Sequence, residues 1–391
     1  MTAVVSENTV TLTGMAVGTA TVTVSARDPA GLAAEQSFAV TVPNRAPAAV
    51  GTIDDRELEV DSVVELDVAP FFADPDRDPL AYTTASSDSA RAMVALSGST
   101  LTVTGVAKGG ITVTVTATDP GGLSAEQGFA VTVPNRPPFP ADTIGDRELF
   151  VGDEVEIDVA AHFADPDGDP LEYAAVSSDT TRAMVALEGG LVTLSGVAVG
   201  DATVTVEVRD PEGLEAEQAF GVTVPNRAPE PVGAIADRDV HVGDTVMLDV
   251  AAYFTEPDGE TLAYEAASSG ATIATVTISG SAVTVAALAV GAAAVTVTAQ
   301  DPHGMWAEQR FAVTVPNRAP GTAGGIADRV VEVDSVVVID VADRFTEPDG
   351  EALEYAATSS DPARVAVAMT GSVVTVAGVA KGAVTVTFTA T

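Results

Sequence analysis

The chain has 391 residues, with 56 acidic against 18 basic side chains, a net charge of −38 and no cysteine. So acidic a surface offers no basic patch to displace counterions, which excludes nucleic acid and anionic headgroups as partners. Without cysteine there are no disulfide staples, no thiolate-bound zinc and no thiol chemistry. A hydrophobic fraction of 46% separates the chain from acidic disordered tails.

No run of about 18 apolar residues is present, so no direct membrane insertion is expected. Met1 is followed by Thr2 and Ser6-Glu7-Asn8, without a basic or apolar leader, and an export signal is expected to lie elsewhere.

Internal repetition dominates the sequence. Val-Pro-Asn-Arg recurs with its proline at Pro43, Pro134, Pro225 and Pro316, a constant step of 91 residues. Asp-Pro pairs at Asp28, Asp119, Asp210 and Asp301, and phenylalanines at Phe38, Phe129, Phe220 and Phe311, keep the same step. A 91-residue unit is the size of one small domain and too long for a solenoid coil, so each unit is expected to own a core. The expected division is a partial unit at 1–43, full units at 44–134, 135–225 and 226–316, and a last unit at 317–391 without its final strand.

Residues 135–225 serve as the type unit. Pro137, Pro138 and Pro140 make an extended lead-in, because proline cannot donate to a sheet. Arg147 to Val151 and Glu154 to Val159 alternate polar and apolar, which predicts two half-buried strands around a Gly152-Asp153 turn. Ala160 to Asp169 reads as a loop with Phe163 folded inward. Strands follow at Leu171 to Ala175, Met184 to Leu187 and Leu191 to Leu194, the last two separated by Gly189-Gly190. Over Ala202 to Val208 the alternation puts Ala202, Val204, Val206 and Val208 inside and Thr203, Thr205, Glu207 and Arg209 outside. Glu217 to Val224 closes the unit with Phe220, Val222 and Val224 on one side. Seven short strands with frequent turn signals and no 3.6-residue stripe predict an all-β Greek-key sandwich.

Three motifs stand in fixed order: Phe163-Ala164-Asp165-Pro166-Asp167-Gly168-Asp169-Pro170-Leu171, then Arg209-Asp210-Pro211, then Pro225-Asn226-Arg227-Ala228-Pro229. With these the repeat resembles the cadherin-like, dystroglycan-type and immunoglobulin-like tandem repeats of bacterial surface proteins. The resemblance runs through every unit, partial ones included. It implies Ig-like sandwiches strung head to tail, located extracellularly or on the cell surface, in adhesins or matrix proteins.

In cadherins an Asp-x-Asp loop, an aspartate after the sixth strand and an Asn/Asp-rich linker bind calcium between domains. The matching residues here are Asp74, Asp76 and Asp119; Asp165, Asp167 and Asp210; Glu256, Asp258 and Asp301; and Glu347 and Asp349. Alternating carboxylates suit a hard cation that takes six to eight oxygens. Yet the linker reads Pro-Asn-Arg-Ala-Pro, or Pro-Asn-Arg-Pro-Pro at 134–138, with Arg45, Arg136, Arg227 or Arg318 where the resemblance requires a ligand. A three-ion linker is therefore not expected. Two readings stay open: one calcium per junction, or an arginine bridging the Asp165 loop or the Asp119 turn across the junction. Aspartate before proline and glycine is also what tight turns use without any ion.

No enzyme is read from the sequence. His162, His241 and His303 occupy non-equivalent repeat positions, and the paired carboxylates recur too often to mark one active site. No phosphate loop or nucleophile elbow is present. Trp306, the single tryptophan, replaces Ser124 and Glu215 and reads as one exposed aromatic at a turn. The expected role is an extracellular structural spacer (stalk, fibre or matrix protein), polymerising head to tail if a neighbour supplies a missing strand. Its partners would then be other copies or neighbouring repeats. The alternative is an adhesive or carbohydrate-binding region of a larger adhesin or secreted enzyme, with surface glycans or proteins as partners. The incomplete end units read as a window on a longer chain.

Overall fold

The computed structural model describes residues 1–391 and is built of strands, with only three- and four-residue 3-10 turns between them. In the 135–225 unit one sheet orders Arg147–Glu148, Glu215–Val224, Gly200–Arg209 and Glu172–Ser177. The facing sheet orders Glu154–Asp158, Leu191–Gly196 and Ala183–Glu188. Val204 pairs with Phe220 and Ala202 with Val222, so the apolar members of both long strands fall on one face. Ala202, Val204, Val206, Val208, Phe220 and Val222 are all buried there, as the alternation requires.

The differences from the sequence reading have local causes. Arg147 to Val151 gives only a two-residue strand, Arg147–Glu148, parallel to Val222 and Thr223. Leu149 donates one more bond to the Thr223 carbonyl and is buried, and the chain then turns at Gly152 with φ +87°. The proline-rich lead-in does pair: Phe139–Pro140 lies antiparallel to Phe163–Ala164. Proline is tolerated because the pairing sits at an edge and the next donor, Ala141 N–H, reaches the His162 carbonyl at 2.9 Å. The 160–169 stretch opens with a 3-10 turn, Val159–His162, whose N-terminus is capped by Asp158 accepting from Ala160 N–H at 3.1 Å. Phe163 then turns into the core.

Units 44–134 and 226–316 repeat the same two sheets. Each of the three carries its own cluster of buried apolar residues, with 13 in 44–134, 14 in 135–225 and 16 in 226–316. Residues 317–391 keep the three-stranded sheet, but the second sheet is reduced to Tyr355–Ser359 against Val386–Ala390. Its buried cluster falls to Val341, Val374 and Val376. Residues 1–43 form two hairpins, Thr2–Ser6 with Thr9–Thr13 and Gly18–Arg27 with Ala33–Val42. Phe38 is 46% exposed on the last strand, whereas Phe129, Phe220 and Phe311 at the same repeat position are each 3% exposed.

Candidate functional site

The first three Val-Pro-Asn-Arg segments leave the last strand of one unit and lie on two loops of the next, while the fourth meets only the acidic loop, through Arg318. In unit 135–225 the two are the acidic loop around Asp165 and the turn at Asp210 between the two longest strands. Asp165 and Asp210 first organise their own loops. Asp165 Oδ1 accepts from the N–H groups of Asp167 at 2.7 Å and Asp169 at 3.2 Å. Asp210 Oδ1 accepts from Gly213 and Leu214 N–H at 2.7 and 2.8 Å. These are the turn-making bonds that aspartate forms without a ligand.

The linker then attaches to both loops through adjacent residues. Asn135 Nδ2 donates to Asp210 Oδ2 at 2.6 Å, and Asn44–Asp119 and Asn226–Asp301 repeat the bond at 2.7 and 2.8 Å. Arg136 grips the acidic loop. Its backbone N–H and Nε reach the two Asp167 oxygens at 2.7 and 2.9 Å, and Nη2 reaches Asp167 Oδ1 and the Pro166 carbonyl, both at 2.6 Å. Arg45–Asp76, Arg227–Asp258 and Arg318–Asp349 make the same contact, so all four linkers share it. The guanidinium fork fits a carboxylate and a carbonyl together, which an ammonium could not do with one planar group.

The arginine thus meets the acidic loop of its own unit, while the Asp119-type turn is held by asparagine. Two arginines also reach backwards across the junction. Arg227 Nη2 donates to the Val151 carbonyl at 3.3 Å and its guanidinium lies 5.0 Å from the Phe150 ring centre. Arg318 Nη2 donates to the Val242 carbonyl at 3.4 Å.

The electrostatics follow from these contacts. Hydrogen bonds from Arg45 hold Asp76 below the usual carboxylate range. Burial opposes ionisation of Asp167, but Arg136 outweighs it and the net shift is downward. Asp210 is likewise lowered against burial by the Leu214 and Gly213 N–H groups and the Asn135 amide. Asp301 and Asp349 are lowered in the same way. Asp78 is raised, first by burial and then by Asp74, Asp76 and Asp119, and burial also raises Glu256.

Of the sequence-derived oxygens, Asp165 and Asp167 come together with Asp169, one oxygen from each lying within 4.8 Å of the others. Glu256 and Glu347 take the place of Asp165 and accept from Asp258 N–H at 3.1 Å and Asp349 N–H at 2.9 Å. Both oxygens of Asp167 and of Asp210 are already bonded. Asp74 Oδ2, Asp165 Oδ2, Glu256 Oε2, Asn135 Oδ1 and Asn226 Oδ1 are buried without a partner.

Three contributors escaped the sequence reading: the linker asparagines, Asp169 and Lys108. The asparagines were legible as an invariant partner to Asp119, Asp210 and Asp301, always 75 residues away. Lys108 lies in a loop of unit 44–134 and binds Asp169 and Glu212 of the following unit, the latter at 2.7 Å. The histidines do not gather: His303 pairs with Glu260 at 3.1 Å, His241 lies 4.0 Å from Asp244, and His162 keeps a buried, unpartnered Nδ1. Trp306 is 58% exposed at the start of its strand, opposite Gln300. No helix is long and apolar enough to cross a membrane.

Comparison with known proteins agrees with the sandwich architecture. Residues 46–134 match the family described as "Putative Ig domain", and residues 135–223 match "Bacterial Ig domain". No curated protein matches the chain. Among solved structures, protocadherin gammaB7 EC3-6 is 14% identical, covering 88% of this chain and 96% of that one, with a TM-score of 0.36. The human desmocollin-1 ectodomain is 12% identical over 93% of this chain and 80% of its own, with a TM-score of 0.27. An endo-fucoidan hydrolase of glycoside hydrolase family 107 is 15% identical over 70% of this chain, with a TM-score of 0.25, and the chain spans 44% of its length. At such scores none of these structures bears on function. Residues 46–134 and 135–223 thus match two immunoglobulin-type domain families in tandem, in agreement with the all-β sandwiches of the fold.

Proposed function

We propose that the chain is an extracellular spacer, a row of separately folded 91-residue sandwiches that holds its two ends apart. The observation that carries this reading is the fourfold Arg–Asp attachment of the linker to the unit it leads into. A linker gripped at both its asparagine and its arginine has little freedom left, and its prolines remove more. Immunoglobulin-type repeats of this kind are typical of non-catalytic surface regions, which agrees with a mechanical role. A seven- or eight-residue strand spans about 25 Å, so with end loops each unit adds roughly 40 Å. Small-angle scattering of residues 1–391 should return an elongated particle; a compact globule would refute the spacer reading.

A single calcium per junction is a second proposal, favoured by the unpartnered oxygens. Asp165 and Asp169, whose carboxylates share one acidic cluster, are the groups that would hold it, with water completing six to eight ligands. Calorimetric titration of calcium into the wild-type chain and Asp165→Ala tests it. Equal heats for the two proteins would leave arginine and asparagine as the whole fastening.

A further inference from the structure

All four junctions share the Arg–Asp attachment and three of them the Asn–Asp bond as well, but their contacts across the boundary differ. At 225/226 and 316/317 the crossing bond runs from a guanidinium to a neutral backbone carbonyl, Arg227 to Val151 and Arg318 to Val242. At 134/135 it is ionic: Lys108 Nζ sits between Asp169 Oδ2 and Glu212 Oε2 of the next unit. The lysine side chain is 24% exposed, and the carboxylates are 14% and 47% exposed. Burial disfavours the ammonium, yet its bonds to Asp169 and Glu212 raise its pKa overall.

The repeat positions show how specific this arrangement is. Lys108 is matched by Val17, Val199, Val290 and Lys381. Glu212 is matched by Ala30, Gly121 and His303, and Asp169 by Asp78, Glu260 and Glu351. Only at 134/135 do the lysine and both carboxylates coincide. The chain has just two lysines among its 18 basic residues, and both stand at this one repeat position. Where the lysine is absent the acid has another fate: Glu260 pairs with His303 of its own unit, and Asp78 lies among Asp74, Asp76 and Asp119.

We infer that Lys108 is an internal counter-ion that fastens unit 44–134 to unit 135–225, making this joint more dependent on ionic strength than the joint at 225/226. The inference rests on the spacer reading. An ion pair at a domain boundary is screened by salt, with a Debye length of about 10 Å at 0.1 M and about 3 Å at 1 M. A hydrogen bond to a carbonyl has no comparable dependence. The Arg–Asp pair is common to both joints, so the joint at 134/135, which adds Lys108, loosens more as salt rises than the joint at 225/226.

The absence of native cysteine allows clean double labelling. Thr112, Thr203 and Ala294 hold equivalent exposed strand positions one repeat apart. Spin labels on T112C/T203C report the 134/135 joint, and labels on T203C/A294C report 225/226. Distance distributions are recorded at 0.05 M and 1 M sodium chloride. The T112C/T203C distribution should broaden by twofold or more with salt, and T203C/A294C by clearly less. Lys108→Met should be as broad at low salt as wild type is at high salt, and Glu212→Gln should fall between. A salt response equal at both joints, or a Lys108→Met distribution as narrow as wild type, would overturn the inference. Failure of the spacer reading looks different: mean separations at both joints would then fall well short of the roughly 40 Å step in every variant.

Discussion

The claim that each unit owns its core can be tested at one repeat position in two settings. Phe220 is 3% exposed, faces Val204 across the strand pair and belongs to the 14-residue cluster of unit 135–225. Truncating a buried phenylalanine to alanine costs about 3–5 kcal/mol, the lost transfer energy plus the cavity left behind. A 91-residue unit has about 5–14 kcal/mol to lose at typical stability per residue. At about 4–8 °C per kcal/mol for a domain of this size, Phe220→Ala should lower the melting temperature of its unit by about 12–40 °C. Phe38 stands at the same repeat position but is 46% exposed, so Phe38→Ala should cost less than about 1 kcal/mol. Hydrogen exchange read by mass spectrometry separates the units. Peptides from Gly200–Arg209 should lose protection in Phe220→Ala, while those from Gly291–Gln300 keep it. Loss of protection in both strands would show one shared cooperative unit and refute the reasoning. So would a Phe38→Ala effect as large as that of Phe220→Ala.

Acid should affect the units unequally. Asp167, Asp179 and Asp210 all have lowered pKa values in unit 135–225, so their stabilisation is complete above the ordinary carboxylate pKa of about 4 and is lost as pH falls through their folded values. In unit 44–134 Asp76 behaves the same way, but Asp78 is raised and is relieved by protonation, so its contribution has the opposite sign. Hydrogen exchange between pH 4 and pH 2 should therefore show 135–225 losing protection first. Asn135→Ala should lower the melting temperature of unit 135–225 by leaving Asp210 Oδ2 unbonded, and Asn135→Asp should lower it further at pH 7 by placing two carboxylates together. The same substitutions at pH 3 should converge, because the added charge is then largely neutralised.

What the sequence made legible was set by periodicity. Strands such as Gly200–Arg209 announce themselves because inward valines alternate with outward polar residues, and a two-residue period has only one register that buries them. Arg147–Glu148 and Phe139–Pro140 were misjudged because pairing at an edge is decided by the partner strand and carries no pattern of its own. The acidic loops were located correctly as loops, yet their partners could not be ranked. Arginine was equally compatible with the Asp165 loop and the Asp119 turn, and only the fold shows that asparagine takes the turn while arginine takes the loop. The role of Lys108 was not legible for a different reason. Its meaning lies in a coincidence with Glu212, 104 residues away, that the other repeats do not preserve.

The linker arginine has a physical consequence for a chain of net charge −38. A junction closed by bound ions holds only while the ion concentration exceeds the dissociation constant, and every loop must wait for its ion. A covalently attached guanidinium is present at the same effective concentration whatever the medium contains. It also satisfies a carboxylate and a carbonyl at once, Asp167 and Pro166 in the type unit, and so fixes direction as well as charge. The cost of that fastening is visible in the same place. One guanidinium neutralises one carboxylate of the loop, and Asp74 Oδ2, Asp165 Oδ2 and Glu256 Oε2 are left buried and unpartnered beside it. Lys108 compensates part of that excess at a single joint by taking up Asp169. The array is thereby divided into joints that share one fastening and differ in how much negative charge is left uncompensated behind it.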